Sequence, residues 1–172
     1  MKKIFSLMIG ALAVCSFVTA QTMNIQVGQV TYQFPAEQTG VMNYTDGTTL
    51  TVMDKVFALA EVGSMFVNDA VVEDNRVSVV YDEASAKVVV SGNVAKYLTV
   101  SVSGAHVDIA QSEDLDQEIT YTLSGSSSDG EFYMSGSYKA TVELNGLTLT
   151  NTNPVTSGAA VHIQNGKRIK VK

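Results

Sequence analysis

The sequence contains few of the residues that cross-link a fold, interrupt it or carry out catalysis. It has one cysteine, two histidines, two prolines and no tryptophan among 172 residues. One cysteine cannot form an intramolecular disulfide, and because Cys15 lies in a predicted leader, the remaining chain has no thiolate for catalysis or zinc binding. The stability of the fold must therefore come from side-chain packing and backbone hydrogen bonds.

The shortage of histidine argues against an enzyme of the serine-hydrolase type. His106 and His162 are the two histidines, and the serine-rich segment 126–128 lacks the strand, sharp turn and helix that surround such a nucleophile. A glycosidase would need two opposed carboxylates, and nothing in the pattern marks such a pair. The sequence predicts no catalytic residue.

Basic residues are also scarce. Lys and Arg number 11 against 17 Asp and Glu, so the formal net charge is −6 at pH 7, and it is about −8 without Lys2 and Lys3. Nucleic acid is excluded as a partner, because phosphate binding needs clustered Lys and Arg. After the leader, no apolar run approaches the roughly 18 residues of a membrane-spanning helix, so no transmembrane segment is expected in the mature chain.

The first twenty residues have the pattern of a cleaved secretory signal. Two lysines precede an apolar stretch over 4–17, and "VTA" precedes Gln21 with small or medium residues where the peptidase requires them. Residues 1–20 are therefore predicted to be removed, and the mature protein is expected in the periplasm, at the cell surface or in the medium.

A lipoprotein signal ending at Cys15 is the alternative to this leader. A small residue normally precedes a lipidated cysteine, whereas Val14 stands there, and Phe17 and Val18 continue the apolar stretch. The pattern favours cleavage before Gln21.

The rest of the chain has a β pattern, with abundant valine, threonine and tyrosine and no long helical periodicity. Residues 21–75 predict short antiparallel hairpins that form a lead-in or cap. Asp46-Gly47 is the strongest turn signal among them. The segment Ala58 to Phe66 is compatible with one helical turn.

From Arg76 onward a repeat appears, in which apolar alternation is followed by a small polar residue and glycine. The glycines are Gly92, Gly104, Gly125, Gly136, Gly146 and Gly166. Two such phrases make a unit of about 21 residues, which is typical of a solenoid. Strands separated by turns every 8 to 12 residues are equally typical of an immunoglobulin-like sandwich, so both folds stay open at this point.

The stretch "KATVELNGLTLTN" shows the alternation best. Period two directs Val142, Leu144, Leu147 and Leu149 to the interior, and Glu143 and Thr148 to solvent. The last residues still alternate at Ile169 and Val171, without a closing segment. This favours a solenoid whose coils continue, and it predicts self-association through an uncapped C-terminal coil.

The segments "EITYTLSGSSSDGEFYMSGSYKATVELNGLTLTN" and "GAAVHIQNGKRIKV" resemble the carbohydrate-binding domain-containing proteins secreted by Bacteroidetes and other anaerobes. The resemblance covers residues 118–172, and "VTYQFPAEQTG" and "VSVSGAHVDI" are similar to the lead-in of the same proteins. It implies a right-handed parallel β-helix over 76–172, binding of acidic or cellulosic polysaccharide, and calcium. Because family members continue for many more coils, this chain is expected to be an N-terminal portion.

Two acidic loops have the oxygen-rich composition that calcium prefers. Their carboxylates are the predicted metal ligands Glu113, Asp114 and Asp116 in "SEDLDQE", and Asp129 and Glu131 in "SDGEF". Sugar binding uses exposed aromatic faces, and the predicted candidates are Phe132, Tyr133 and Tyr138. Hydrated turns and a packed core are the structural alternatives for these two sets.

The leading hypothesis is a secreted, non-catalytic protein that binds extended polysaccharide with calcium. The first alternative is a β-helical polysaccharide lyase using calcium and a basic residue such as Arg168, although Lys167 and Lys170 beside it are also what a protected sheet edge requires. The second alternative is a structural or adhesive surface scaffold.

Overall fold

A computed structural model describes residues 21–172, and the predicted leader with Cys15 lies outside these residues. The described chain is all-β, as the composition predicts, with one 3₁₀ turn at Leu59–Glu61 and one short helix, α1 (Gly92–Ala95). The strands are β1 (Thr22–Val27), β2 (Val30–Pro35), β3 (Asn43–Thr45), β4 (Thr49–Val52), β5 (Lys55–Ala58), β6 (Val62–Asn68), β7 (Arg76–Asp82), β8 (Ser85–Ser91), β9 (Leu98–Ser103), β10 (His106–Gln111), β11 (Ile119–Ser127), β12 (Glu131–Gly136), β13 (Ala140–Leu149), β14 (Val161–Asn165) and β15 (Ile169–Val171).

These strands form three sheets. The largest has eight strands in the order β15-β13-β11-β7-β8-β2-β1-β6, the second has four in the order β14-β12-β10-β9, and the third is the meander β3-β4-β5. From β10 onward the chain alternates between the two larger sheets. From β12 to β15, each strand pairs in parallel with the strand two places earlier, as β12 does with β10 and β13 with β11.

The parallel pairs bear on the two folds that the sequence left open. β7, β11, β13 and β15 run parallel in one sheet, and β10, β12 and β14 run parallel in the other. The immunoglobulin-like alternative does not fit this region, because that fold is built from antiparallel sheets.

The lead-in is antiparallel, as predicted. Asp46 and Gly47 both have positive φ, 53° and 68°, in the hairpin turn that joins β3 and β4, so the turn prediction is confirmed. The helical turn is confined to Leu59–Glu61, while Ala58 is the last residue of β5 and residues 62–66 belong to β6. β1, β2 and β6 join the eight-stranded sheet, so the lead-in shares a sheet with the repeats.

One apolar core extends under all three sheets. Phe34 of β2, Leu123 of β11 and Met134 of β12 are fully buried in it. Phe57 of the meander packs edge-to-face against Tyr32, with ring centroids 5.1 Å apart. Because the core is continuous, the meander closes one end of the space between the larger sheets.

The predicted interior of β13 is correct at one end and wrong in the middle. Val142 is buried, and Leu147 and Leu149 are half-buried against the core. Leu144 was expected inside, but 49% of its surface is exposed. It lies directly opposite buried Leu123 and therefore faces the same side of the sheet, but β15 pairs with β13 only over 140–142, and at Leu144 itself only the backbone N–H is covered, by a hydrogen bond to the Lys172 carbonyl.

Two of the repeated glycines lie in the interior of strands, where the sequence suggested turns, and Gly136 is the last residue of β12. Gly125 in β11 and Gly146 in β13 have φ of 84° and 68°, and the pairing register shifts beside Gly125. A Cβ at Gly125 would lie 2.0 Å from the carbonyl oxygen of Tyr81, so no other residue fits at this bulge.

The length of the repeat varies along the chain. Paired residues are 21 apart in the sequence between β11 and β13 but 29 apart between β12 and β14, so the predicted repeat of about 21 residues holds for one coil.

Candidate functional site

The outer face of the four-stranded sheet concentrates the polar and aromatic groups suited to binding. In β12, Phe132 and Met134 are fully buried, and Tyr133 and Ser135 point to the other side. The prediction that one of the two adjacent aromatics faces outward is thus correct, and that residue is Tyr133. Phe132, which was also a candidate for sugar binding, fills the core beside Tyr121 with ring centroids 6.0 Å apart.

Strand register brings the outward residues into a row across all four strands. Ser101 of β9 is opposite Asp108 of β10, which is opposite Tyr133, which is opposite His162 of β14. We call these four residues the outer row. At a strand spacing of about 4.8 Å the row is roughly 14 Å long.

Tyr133 and His162 form the aromatic part of the outer row. Their ring centroids are 5.1 Å apart with an interplanar angle of 43°. The Tyr133 hydroxyl donates a hydrogen bond of 2.6 Å to Oε1 of Gln164, which fixes the ring on the surface. The neighbouring positions Ala110 and Ser135 are small, so the face beside the rings is open.

Tyr138 lies apart from the outer row, in the turn that follows β12. Its ring is half-buried against the core, and its carbonyl oxygen accepts a hydrogen bond of 2.6 Å from Nδ2 of Asn165. The structure therefore separates two of the three predicted aromatic candidates from the exposed face.

Glu131 is buried, and its carboxylate holds a distant loop. Backbone N–H groups of Val155, Thr156 and Ser157 donate to it at 3.3, 2.9 and 2.6 Å, and the Ser157 hydroxyl donates at 2.6 Å. Burial alone would raise the pKa of Glu131, but these hydrogen bonds outweigh it and lower the pKa to about 2.

Asp129 anchors the same loop from solvent. Its carboxylate accepts hydrogen bonds from the side-chain amide and backbone N–H of Asn153, both 2.8 Å, and from the backbone N–H of Thr152 at 3.2 Å. The bonds from Asn153 contribute most to a pKa of about 2. We call residues 152–157 the anchored loop.

Two of the predicted calcium ligands, Asp129 and Glu131, thus accept hydrogen bonds from the anchored loop through their carboxylate oxygens. The other three predicted ligands, Glu113, Asp114 and Asp116, are exposed in the connection between β10 and β11. Within residues 21–172, no three His, Cys, Asp or Glu side chains come together as a metal-binding group.

His106 connects the anchored loop to the outer face. Its Nδ1 lies 3.5 Å from Oε2 of Glu131, and its Nε2 lies 4.0 Å from Oδ1 of Asp129. A cleft of about 300 Å³ opens on the Asp129 side, and one of about 110 Å³ opens between Ser101, Asp108 and Thr156. The anchored loop thus forms a wall at one end of the outer row.

Asp108 is the acid of the outer row. Partial burial, together with the negative charge of Glu131 behind it, raises the pKa of Asp108 above its usual value. A carboxylate in this setting is a strong hydrogen-bond acceptor for hydroxyl groups and repels further anions.

The basic residues considered for a lyase lie elsewhere. Lys167, Arg168 and Lys170 are exposed around β15, in the other sheet. Beside them, Lys172 forms a 3.0 Å ion pair with Glu143, which also lies 3.2 Å from Arg76. These charges connect strands across the eight-stranded sheet.

Comparison of the chain with protein-family models, with curated protein sequences and with solved structures finds no match. In residues 21–172, no helix has both the length and the apolar character needed to cross a membrane.

Sequence reasoning missed Ser101, Asp108 and His162. The alternation in "LTVSVS", "HVDIAQ" and "VHIQN" shows which residues of each strand point away from the core. It does not show which strands are neighbours, and only that pairing assembles the row.

Proposed function

We propose that this protein is a secreted, non-catalytic carbohydrate-binding protein, and that a glycan lies across the strands along the outer row. The observation that carries the proposal is the half-buried Tyr133–His162 pair on the outer face of the sheet, aligned with the hydrogen-bonding groups of Asp108 and Ser101. The leader pattern at residues 1–20 supports export.

The chemistry of the outer row suits a sugar. Sugar rings have apolar faces of C–H groups that pack on aromatic rings, and hydroxyl edges that bond to carboxylates and amides. Tyr133 and His162 offer aromatic rings for the C–H faces, and Asp108 and Gln164 offer a carboxylate and an amide for the hydroxyl edges. The small side chains of Ala110 and Ser135 leave room for a chain that continues past the rings.

The charge of this face favours a neutral glycan over an acidic one. None of the residues in the four described strands of this sheet is Lys or Arg, whereas the carboxylate of half-buried Asp108 lies on this face. A uronate would meet an uncompensated carboxylate. The proposal therefore names the cellulosic class and does not depend on calcium.

We also propose that the parallel strands from β10 onward are the first coils of a parallel β-helix. The support is their alternation between two sheets, and parallel connections of this kind are right-handed in nearly all folds. Such a fold would extend a flat binding face along its axis, where many weak contacts add up.

The proposal predicts that Tyr133→Ala weakens binding to soluble neutral β-glucans about tenfold, since an aromatic platform contributes roughly 1.5 kcal/mol beyond its buried area. Affinity electrophoresis or calorimetry measures the change. Tyr44→Ala is the matched control, because Tyr44 is exposed but lies on β3 of the meander. Equal binding by wild type and Tyr133→Ala would refute the proposed site.

The same assay tests the alternatives. Polygalacturonate, with calcium and then with a chelator, tests ion-dependent binding of acidic glycan, and absorbance from an unsaturated product would identify a lyase. Either result would overturn the neutral-glycan proposal, and retention of no glycan at all would leave an adhesive scaffold as the better account.

A further inference from the structure

β6 is an unprotected edge strand. Among residues 21–172 it is the last strand of the eight-stranded sheet, paired only with β1, and its seven residues "VGSMFVN" carry no charge. Met65, Phe66 and Val67 are 44%, 45% and 58% exposed. Sheet edges are normally protected by charges, proline or a covering segment, because an open edge pairs with other strands.

The apolar residues of β6 occupy both faces of the sheet. Met65 and Val67 lie opposite Ile25 and Met23, which face the core, and Phe66 lies opposite Asn24 on the other side. A strand added at this edge would gain apolar contacts on both faces as well as backbone hydrogen bonds.

We propose that β6 pairs antiparallel with β6 of a second copy, with Phe66 of each chain on the twofold axis. Met65 then lies opposite Val67 of the second copy, so core-facing residues meet core-facing residues. The two faces stay in phase, and the same patch serves both chains, as a closed twofold interface requires.

The flanking charges favour this register over the neighbouring one centred on Met65. Glu61 and Asp69 stand at the two ends of the strand. A twofold axis at Met65 also keeps the faces in phase, but it puts Glu61 directly opposite Asp69 of the second copy, and like charges opposite each other destabilise a pair. With the axis at Phe66, Asp69 meets Gly63 and Glu61 meets Val71, so no like charges are opposed.

One paired strand gives a small interface. Stable complexes bury about 1,200–2,000 Å² in total, so a dimer built mainly on β6 should form and dissociate with concentration. Sedimentation velocity of the full chain should show its apparent mass rising with protein concentration.

Cysteine cross-linking tests the register. In the full chain carrying Cys15→Ser, Phe66→Cys places two thiols directly opposite, at a Cα separation of about 4.5 or 5.5 Å, which a disulfide spans. Oxidation should give a cross-linked dimer. Met65→Cys is the register control, because its two copies would be diagonal neighbours about 7–8 Å apart. Faster cross-linking at Met65 than at Phe66 would overturn the register.

A charge on the edge tests the interface itself. Phe66→Lys should abolish concentration-dependent dimerisation, because charged edges resist pairing. Val80→Lys is the matched control: Val80 is 46% exposed but lies on β7 inside the same sheet, and this variant should dimerise like wild type. A wild-type chain that stays monomeric at every concentration, or dimers that persist in Phe66→Lys, would overturn the proposal.

Discussion

At the residue scale, Glu131 is a carboxylate that the sequence suggested as a metal ligand and that hydrogen-bonds to the anchored loop in the fold. "SDGEF" supplies two carboxylates in a short loop, which is the composition of a cation site. The fold instead brings backbone N–H groups of residues 155–157 to Glu131, and those of residues 152–153 to Asp129. These backbone donors stabilise the negative charge of both carboxylates.

These hydrogen bonds predict an acid-dependent stability. The pKa of Glu131 is about 2 in the folded chain and about 4.3 for an unperturbed Glu, so its contribution is complete above the unfolded value and is lost as the pH falls toward 2. Urea unfolding between pH 7 and pH 2 should show this loss in wild type. Glu131→Gln should be less stable at pH 7 and should lose less stability on acidification.

The control for this experiment is Glu113→Gln, which removes an exposed carboxylate of the β10–β11 connection. It should keep the wild-type pH dependence. If Glu131→Gln shows the same slope as wild type, the hydrogen bonds to the anchored loop do not contribute to stability as argued.

At the element scale, the hairpin turns differ in how well their residues suit them. Asp46-Gly47 has glycine at a left-handed position and was recognised from sequence. The β7–β8 turn carries Glu83 at φ 50°, a conformation that costs a side chain with Cβ about 1 kcal/mol or more. No sequence signal marks that turn, because nothing in it prefers the conformation.

We expect Glu83→Gly to raise the free energy of unfolding by about 1 kcal/mol, because glycine adopts this φ without strain. Glu83→Ala is the matched control: it removes the same side chain but keeps the strain, so it should leave stability nearly unchanged. Urea unfolding measures both variants. Equal gains in both would show that the side chain, and not the backbone angle, is responsible.

At the scale of the whole molecule, stability depends on how the two larger sheets cover each other. Leu123 and Leu144 are opposite one another in neighbouring strands and face the same side. One is fully buried and the other is 49% exposed. The position of each strand in the sheet therefore decides how far the leucine is buried, although the local alternation around both residues is the same.

The different burial of Leu123 and Leu144 predicts that substitution by Asp destabilises the protein by different amounts at the two positions. Leu123→Asp should unfold the protein, because an unpaired buried charge costs several kcal/mol, whereas Leu144→Asp should cost about 1 kcal/mol or less. Circular dichroism during thermal unfolding would compare the two. Similar losses in both variants would mean that Leu144 is covered in solution.

The sequence by itself determined the all-β class, the turn at Asp46-Gly47 and the fact that Phe132 and Tyr133 face opposite sides of their strand, because alternation and turn chemistry act between residues close in the chain. Only the tertiary structure decided that Tyr133 lies beside Asp108 and His162, that Glu131 holds the anchored loop, and that Leu144 is exposed. Those relations depend on register between strands some 20 to 30 residues apart. Register is set by packing of the whole core, which no short pattern contains.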